Sequence, residues 1–386
     1  MQITRAYKTR LIVNNKEATY LRQCADAARF VFNWALADRK ARYEDGKQAT
    51  NKFEQMSRFN ELKKQQYPWL ADYPSKSHEQ AIKNVDRAFE NFFRRIKRGE
   101  TPGYPKFKSR NDPRQSFTVR CSIHAEPTRI RLPRIGWLRL AEHDYLPTGD
   151  VKILSATVST EGHGWYVSVQ VQETTPDPEP TDNPAIGVDL GIKQLAVCSD
   201  GKAFDNPRAL IVAQRKIARL SRELSRRKKG SVNREKTKDK LARAHVHVAA
   251  IRRNAQHQVS RYVVDQEPQV VVIEDLHVKG MVKTHCLARA VSDSGFGEMR
   301  RQIKYKAEWA GIEVVVADRF FPSSKTCSAC GCVRDELSLS ERTFICPECG
   351  SVIDRDLNAA KNLAALANRQ NGRGLPVELR CNNASL

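Results

Sequence analysis

The sequence lacks a membrane-spanning segment, because no run of about 18 consecutive apolar residues occurs in its 386 residues. Its first residues also lack the apolar core of a secretory signal peptide, which predicts an intracellular protein. An intracellular compartment is reducing, so cysteines that cluster are expected to bind metal rather than to form disulfides. These absences disfavour membrane and secreted functions and predict a cytoplasmic location.

Acidic residues are scarce relative to basic ones. The chain has 44 Asp and Glu against 66 Lys and Arg, a formal net charge of +22. The excess is clustered: residues 94–120 carry nine Lys or Arg against two acids, and residues 206–262 carry seventeen against three. Such clusters attract polyanions, of which nucleic acid is the commonest. The composition therefore favours a nucleic-acid partner over a merely soluble basic protein.

The length predicts two or more domains, each with its own core. A strand is predicted over residues 2–13 and helices over 16–44 and 51–64. A third helix is predicted to start at a capping box, Ser77 to Gln80, and to stop at Gly99.

Strand patterns then dominate residues 117–173, with a hairpin turn at 161–164. Residues 174–184 contain four prolines, which predicts a stiff linker and a domain boundary. Beyond it, strands and helices alternate as in α/β units, including two basic helices within 206–262 that break near Gly230 and a helix over about 293–310.

Three acidic positions end or begin elements of this second half. Asp189 and Glu274 each end a β-branched run, as a buried parallel strand does at its carboxyl edge, and Asp356 opens a helix. Converging carboxylates can hold two Mg²⁺ ions, or Mn²⁺, for phosphodiester cleavage. Asp275 and Asp354 are competing choices for the second and third ligands. An acid on strand one, one on strand four and one on the last helix is the order of the RNase H and RuvC nuclease fold.

Four cysteines have the spacing of a zinc ribbon: Cys327 and Cys330 form one pair, and Cys346 and Cys349 a second pair fifteen residues later. Four thiolates close the coordination sphere, so the Zn²⁺ is predicted to be structural. Cys332, just past the first pair, is interpreted as a bystander.

Basic residues interleaved with aromatic ones are predicted to contact a phosphate backbone. These residues are Arg94, Arg95, Lys97, Lys106, Lys108 and Arg110. A His-Val-His sequence, His245 to His247, matches the metal-binding signature of transposases that use a tyrosine nucleophile. That chemistry requires a strand, whereas this pair is predicted to be helical, where positions i and i+2 point apart.

Several stretches carry a family resemblance, in the family's order: residues 88–95, 102–108, 187–191, 273–276, 323–331 and 354–363. Through them the chain resembles the TnpB (OrfB) family of transposon-encoded RNA-guided DNA endonucleases, relatives of compact type V CRISPR effectors. On this resemblance the catalytic residues are Asp189, Glu274 and Asp356, and Lys325 joins the nucleic-acid-binding residues.

The resemblance implies a multidomain α+β architecture. A β-barrel wedge domain (1–15 and 114–180) would be interrupted by a helical recognition domain (16–113). An RNase H-like RuvC nuclease domain (183–322 and 351–386, with a basic helical insert at 206–262) would carry a zinc-ribbon insert (323–350).

The resemblance also implies partners and a function. The partners are a guide RNA from the transposon end and a double-stranded target DNA. The protein would act as a monomer in a bacterial or archaeal cytoplasm and cut the DNA beside a short flanking motif. Two alternatives remain open: an RNA-guided DNA-binding regulator without essential cleavage, and a transposase that acts directly, which would use Tyr262 or His245.

Overall fold

The computed structural model of the chain describes residues 1–46, 51–112, 114–149, 151–162, 164–179, 181–338 and 340–370. These residues form two compact units, Met1–Thr175 and Pro176–Leu386. The division falls at the start of the proline-rich stretch. Within the described ranges, no helix is both long and apolar enough to cross a membrane.

The first unit contains a seven-stranded antiparallel sheet with the order β2-β6-β7-β1-β5-β4-β3. Its strands are β1 Gln2–Ile12, β2 Ser116–Val119, β3 His124–Glu126, β4 Arg129–Leu132, β5 Gly136–Leu140, β6 Lys152–Glu161 and β7 Gly164–Thr174. The first strand lies in the middle and pairs with β7 from Gln2 opposite Thr174 to Leu11 opposite Trp165. Residues far apart in sequence thus share one sheet.

Alternation along β7 shows how this sheet makes a core. Trp165, Val167, Val169 and Val171 are buried, while the residues between them are more exposed. Because successive side chains of a strand point to opposite faces, this pattern buries one face and leaves the other polar.

In the described part of this unit, the sheet is accompanied by helices α1 Asn15–Glu44, α2 Lys52–Gln66 and α3 Ser75–Lys97, with a 3-10 turn at Pro68–Asp72. Helix α1 starts at a capping box in which Asn14 and Glu17 bond each other's backbone N–H. Its residues Leu21 and Cys24 pack in the sheet's core, whereas Val31 and Leu36 pack with α2 and α3 in a second core.

The predicted start of α3 is wrong. The helix begins at Ser75, directly after Pro74, so Ser77 lies inside its first turn. There the Ser77 hydroxyl is buried and donates to the Pro74 carbonyl oxygen at 2.7 Å instead of capping the helix. Near the end of the helix, Phe93 and Ile96 are exposed.

The second unit contains a five-stranded sheet with the order β10-β9-β8-β11-β12. Its strands are β8 Ile186–Asp189, β9 Gln194–Cys198, β10 Ala203–Asp205, β11 Val270–Ile273 and β12 Glu313–Val316. Strands β8, β11 and β12 are mutually parallel, and β9 and β10 run antiparallel to their neighbours. A two-stranded hairpin, β13 Thr343–Ile345 and β14 Val352–Asp354, lies outside this sheet.

The described residues of this unit form six helices: α4 Ala209–Arg226, α5 Val232–Asp265, α6 Val278–Met281, α7 His285–Ser294, α8 Phe296–Trp309 and α9 Arg355–Gln370. The predicted break near Gly230 is confirmed, since Ser231 caps α5. The predicted helix over 293–310 is wrong at its start, because Gly295 (φ +66°) ends α7 and α8 follows it.

The two faces of the five-stranded sheet are covered by different helices. Val188 and Ile273 pack with residues of α5 and α8 on one face. Val270 and Val272 pack against Leu363 and Ala367 of α9 on the other. A sheet buried on both faces explains why β11 is apolar at every position.

Candidate functional site

Strand register brings the first two predicted carboxylates together. Val188 of β8 lies opposite Ile273 of β11 in a parallel pair, so the next residues, Asp189 and Glu274, are neighbours at the carboxyl edge of the sheet. Parallel strands present their carboxyl ends at the same edge. Two residues far apart in the sequence are therefore placed side by side by the backbone alone.

Gly187 determines how closely the last helix approaches this edge. A Cβ atom built on Gly187 would lie 2.0 Å from the Ala360 carbonyl oxygen and 2.5 Å from the Ala364 nitrogen of α9. Only glycine permits this contact between strand and helix backbones. Because side chains alternate along a strand, Asp189, two residues on, lies on the same face as α9.

The first turn of α9 supplies the third carboxylate. Asp354 precedes the helix, and its Oδ1 accepts hydrogen bonds from the N–H groups of Asp356 and Leu357, both at 3.0 Å. This is a helix N-cap, a structural use of the Asp354 side chain. Asp356 is then the acid in the first turn, with its Oδ1 3.8 Å from an Arg342 nitrogen.

The electrostatics of the three acids reflect their proximity. Burial, then repulsion from Glu274 and Asp356, raises the pKa of Asp189 well above its usual value. Burial also raises the pKa of Glu274. The Ser323 hydroxyl donates to Glu274 Oε1 at 2.8 Å and partly offsets this rise, whereas repulsion from Asp356 adds to it. Crowded carboxylates with raised pKa values are stabilised by cations. The donor set, all oxygen and anionic, fits Mg²⁺ or Mn²⁺.

The neighbouring acid Asp275 has a different environment. Its two oxygens accept from Arg300 at 2.7 Å and from Arg319 at 2.6 Å, and these hydrogen bonds lower its pKa. Asp275 is thus held by two guanidinium groups, while Glu274 shares the electrostatic environment of the other two acids.

The four predicted cysteines form a tight cluster. Their ligand atoms all lie within 4.8 Å of one another, and among the described residues they are the only group of three or more His, Cys, Asp or Glu residues this close. The sulfur separations are 3.7 Å for Cys327 and Cys349 and 3.5 Å for Cys330 and Cys346. A tetrahedron with Zn–S bonds of about 2.3 Å has edges of about 3.8 Å. The residues present therefore fit a zinc ion.

Each cysteine pair sits on a similar turn. Gly331 donates its N–H to the Cys327 carbonyl oxygen, and Gly350 donates its N–H to the Cys346 carbonyl oxygen. Both glycines have positive φ, +81° and +68°. Burial opposes the thiolate of Cys346, but the N–H groups of Cys349 and Glu348 stabilise it and lower its pKa to about 7.

Two buried asparagines join the cysteine turns to α9. Asn358 accepts from the Ser328 N–H at 2.9 Å and donates to the Thr326 carbonyl oxygen at 2.6 Å. Asn362, one turn later, donates to the carbonyl oxygens of Ser323 and Thr326. Since Ser323 also donates to Glu274, the network extends from the cysteine turns to Glu274, and Asn358 lies two residues after Asp356 on the same helix. No sequence pattern above predicts these roles, although two amides four residues apart on an Ala- and Leu-rich helix are a visible signal.

Three family models match parts of the chain. The family described as "Probable transposase" (OrfB of IS605) matches residues 166–285, a Cas12f1-like TNB domain matches 296–363, and a "Helix-turn-helix domain" matches 1–48. In that last span, the described residues form one strand and one helix.

Full-length relatives decide the family. A Streptomyces pristinaespiralis protein named "Putative RNA-guided DNA endonuclease" is 36% identical, over 94% of this chain and 89% of its own length. The Escherichia coli protein "Putative RNA-guided DNA endonuclease InsQ" is 33% identical over 95% of this chain and 92% of its own length. The chain belongs to the TnpB (OrfB) family.

A solved structure supports the fold of this TnpB-family chain. Its architecture resembles a chain in the cryo-EM structure of a Cas12f1–sgRNA–target DNA complex, with a TM-score of 0.59 and 15% identity, over 94% of this chain and 99% of that one. The mixed α/β, multidomain architecture is thereby confirmed.

The residues of this TnpB protein that are predicted to contact nucleic acid differ from one another in their surroundings. Arg94, Arg95 and Lys97 are exposed in the last turns of α3, and Lys106 and Arg110 are exposed in the coil after it. Asn33 of α1 anchors this coil through reciprocal hydrogen bonds with the backbone of residue 108.

Two predicted lysine contacts have partners within the protein. The Lys108 ammonium lies 4.2 Å from the centre of the Phe32 ring, and its desolvation lowers its pKa. Lys325 donates to the Asp335 carbonyl oxygen at 2.6 Å. Tyr104 packs edge-on against Phe89 and Phe92.

The transposase-like residues are not arranged for that chemistry. His245 and His247 lie on helix α5, as predicted, and neither joins a metal-ligand cluster in the described part of the chain. The Tyr262 hydroxyl donates to Asp200 at 2.7 Å, and its ring packs against Phe204. This hydrogen bond raises the pKa of Tyr262 to about 12, which disfavours its phenolate as a nucleophile.

Proposed function

We propose that this TnpB-family protein is an RNA-guided DNA endonuclease that cleaves by metal-dependent phosphodiester hydrolysis. The observation that carries the proposal is the meeting of Asp189, Glu274 and Asp356 at one strand edge beside the start of α9. The names of the two full-length relatives support it.

Asp189, Glu274 and Asp356 would hold the catalytic ions. When bound, two Mg²⁺ ions would activate the attacking water and stabilise the leaving 3′ oxygen, which gives products with a 5′ phosphate. The chain's own residues orient these ligands. Ser323 directs Glu274 through its hydroxyl, and Asp354 caps the helix that carries Asp356.

The finer domain assignment belongs to the same proposal. The strand order of the second unit and the positions of the acids support a RuvC-like domain over 183–322 and 351–386. The cysteine cluster supports a zinc ribbon over 323–350 with one structural Zn²⁺. The antiparallel sheet and the three helices of the first unit support a wedge domain (1–15 and 114–180) interrupted by a recognition domain (16–113).

The proposed partners are a guide RNA from the transposon end and a double-stranded DNA target, bound by one copy of the protein. The net charge of +22 supports a polyanionic partner. In guided systems base pairing selects the sequence, so the protein reads only a short flanking motif and the shape of the duplex.

Cleavage of a target library tests the proposal. The protein is purified with its co-purifying RNA, which is sequenced, and is given matched targets with randomised flanks in Mg²⁺. Wild type and the control Asp205→Ala, an exposed acid on β10, are expected to cut targets that share one flank, and Asp189→Ala is expected to bind them without cutting. Binding without cleavage by wild type in both Mg²⁺ and Mn²⁺ would contradict the nuclease and support a DNA-binding regulator.

A further inference from the structure

Phe320 is exposed although its neighbour is not. The Phe320 side chain is 87% exposed, more than any other large hydrophobic residue in the described part of the chain. Phe321 packs against Ala317 and Leu363 in the core beneath α9. A single exposed apolar side chain is common on protein surfaces, so the surroundings of Phe320 decide what its ring can bind.

The loop that presents Phe320 is held on both sides. The Phe320 N–H donates to Asp318 Oδ1 at 2.8 Å, and the Phe321 N–H donates to the Asp318 carbonyl oxygen. Arg319 bonds Asp275 at 2.6 Å. The loop is therefore ordered by its other residues, and the exposure of Phe320 does not arise from a loose segment.

The same loop adjoins the carboxylates. A small cleft beside it is lined by Glu274, Asp275, Arg319 and Phe321. Ser323, three residues beyond Phe320, donates to Glu274. The loop therefore borders the space in which a phosphate at Glu274 would lie.

We propose that the Phe320 ring stacks on a nucleobase of the DNA strand held at the carboxylate site. This inference rests on the proposed nuclease function. In guided systems the two DNA strands separate when the guide pairs with its target, and unpaired bases expose faces on which an aromatic ring stacks regardless of sequence. Stacking on Phe320 would fix the position of the adjacent phosphate relative to Glu274, with Arg319 supplying positive charge beside it.

Variants that change the aromatic face of residue 320 separately from its apolar volume test the stacking. Phe320→Leu keeps apolar volume without the aromatic face, and Phe320→Trp enlarges that face. At saturating target, Phe320→Ala and Phe320→Leu are expected to cut about tenfold more slowly, and Phe320→Trp at least as fast as wild type. The control Phe53→Ala removes another exposed phenylalanine, on α2, and is expected to cut normally.

Modified DNA locates the base. An abasic nucleotide is moved along the strand, and at one position it should slow the wild type as much as Phe320→Ala does while adding no further loss to that variant. In the Asp189→Ala background, which excludes cutting, the fluorescence of 2-aminopurine at that position should be quenched when Phe320 is present. The same fluorescence should be brighter when Asp189→Ala is combined with Phe320→Leu.

The outcomes distinguish this inference from the proposed function. If wild type cuts and both Phe320→Ala and Phe320→Leu cut at its rate, stacking is overturned while the nuclease stands. Equal slowing by Phe320→Leu and Phe320→Trp, with no sensitive abasic position, also overturns stacking and indicates that the ring packs against protein. Failure of wild type to cut is instead a failure of the proposed function.

Discussion

The two proposed ligand sets of the second unit are assembled in opposite ways. The four cysteines lie within 23 residues, on two similar turns that end in Gly331 and Gly350. The three carboxylates come from positions 189, 274 and 356 and meet only through strand register and the packing of α9. A site encoded by local spacing tolerates change elsewhere, whereas a site encoded by tertiary contacts depends on every element that aligns it.

The largest expected effect is at the carboxylates. Glu274→Gln keeps the shape of the side chain but removes a ligand charge, so cleavage should fall about 10³-fold. Its sequence neighbour supplies the control, because Asp275 is bonded to Arg300 and Arg319. Asp275→Asn should retain cleavage within severalfold. Initial rates on a matched target measure both, and a larger loss for Asp275→Asn would reverse the assignment of the second ligand.

The same logic applies to the two acids at the start of α9. Asn is as good a helix N-cap as Asp, so Asp354→Asn should preserve both helix and cleavage. Asp356→Asn should reduce cleavage about 10³-fold, like Glu274→Gln. Circular dichroism and cleavage rates are compared for the pair. An inactive Asp354→Asn that keeps native helix content would identify Asp354 as the metal ligand.

Loss of zinc should have the next largest effect, without touching a catalytic ligand. Cys327→Ser removes one thiolate and should release Zn²⁺, which frees the turns that Asn358 and Asn362 contact. Cleavage should then fall about 100-fold, the upper range for losing a metal's supporting shell. Cys286→Ser, at an exposed thiol on α7, is the control. Zinc content is measured alongside rate, and full-rate cleavage by zinc-free protein would show that the two sites are independent.

The asparagine link can be broken without removing zinc. Asn358→Ala leaves the partly buried Ser328 N–H without this partner, a loss of about 1–3 kcal/mol, whereas the Thr326 carbonyl oxygen still accepts from Asn362. Cleavage should fall about tenfold, by a weaker alignment of Asp356, while zinc content stays at one per chain. Lys361→Ala, exposed on the same helix, should change neither. A normal cleavage rate for Asn358→Ala would show that the Asn358 hydrogen bonds contribute to stability and not to cleavage.

Sequence patterns predicted some features of these two sites and not others. The runs ending at Asp189 and Glu274 are buried strands, and the cysteine spacing produced a cluster, because each is a short-range signal. The use of Asp354 as a cap and the contact of Gly187 with α9 could not be predicted, since both depend on where a helix distant in the sequence begins and packs. The start of α3 was mispredicted because the Ser77 hydroxyl can form a local hydrogen bond either as a helix cap or inside the first turn, where it donates to the Pro74 carbonyl oxygen.

The smallest expected effect is on stability, and it has the opposite sign to the effect on activity. The pKa of Asp189 is raised in the fold by burial and by Glu274 and Asp356, so the folded protein favours the protonated acid. Stability from this group is therefore present below the ordinary carboxyl pKa and is lost as pH rises through the raised value. In EDTA at about pH 7.5, Asp189→Asn should melt a few degrees above wild type, and near about pH 4 the difference should vanish.

Magnesium should remove this advantage, because cations bound to the charged carboxylates stabilise wild type and not Asp189→Asn. The exposed-acid variant Asp205→Asn should follow wild type at every pH, with and without Mg²⁺. At the cysteines the charge conflict is smaller, because backbone N–H groups stabilise the thiolate of Cys346 and lower its pKa. An Asp189→Asn variant less stable than wild type in EDTA would mean that the carboxylates support the fold as the cysteines do, and the contrast between the two sites would disappear.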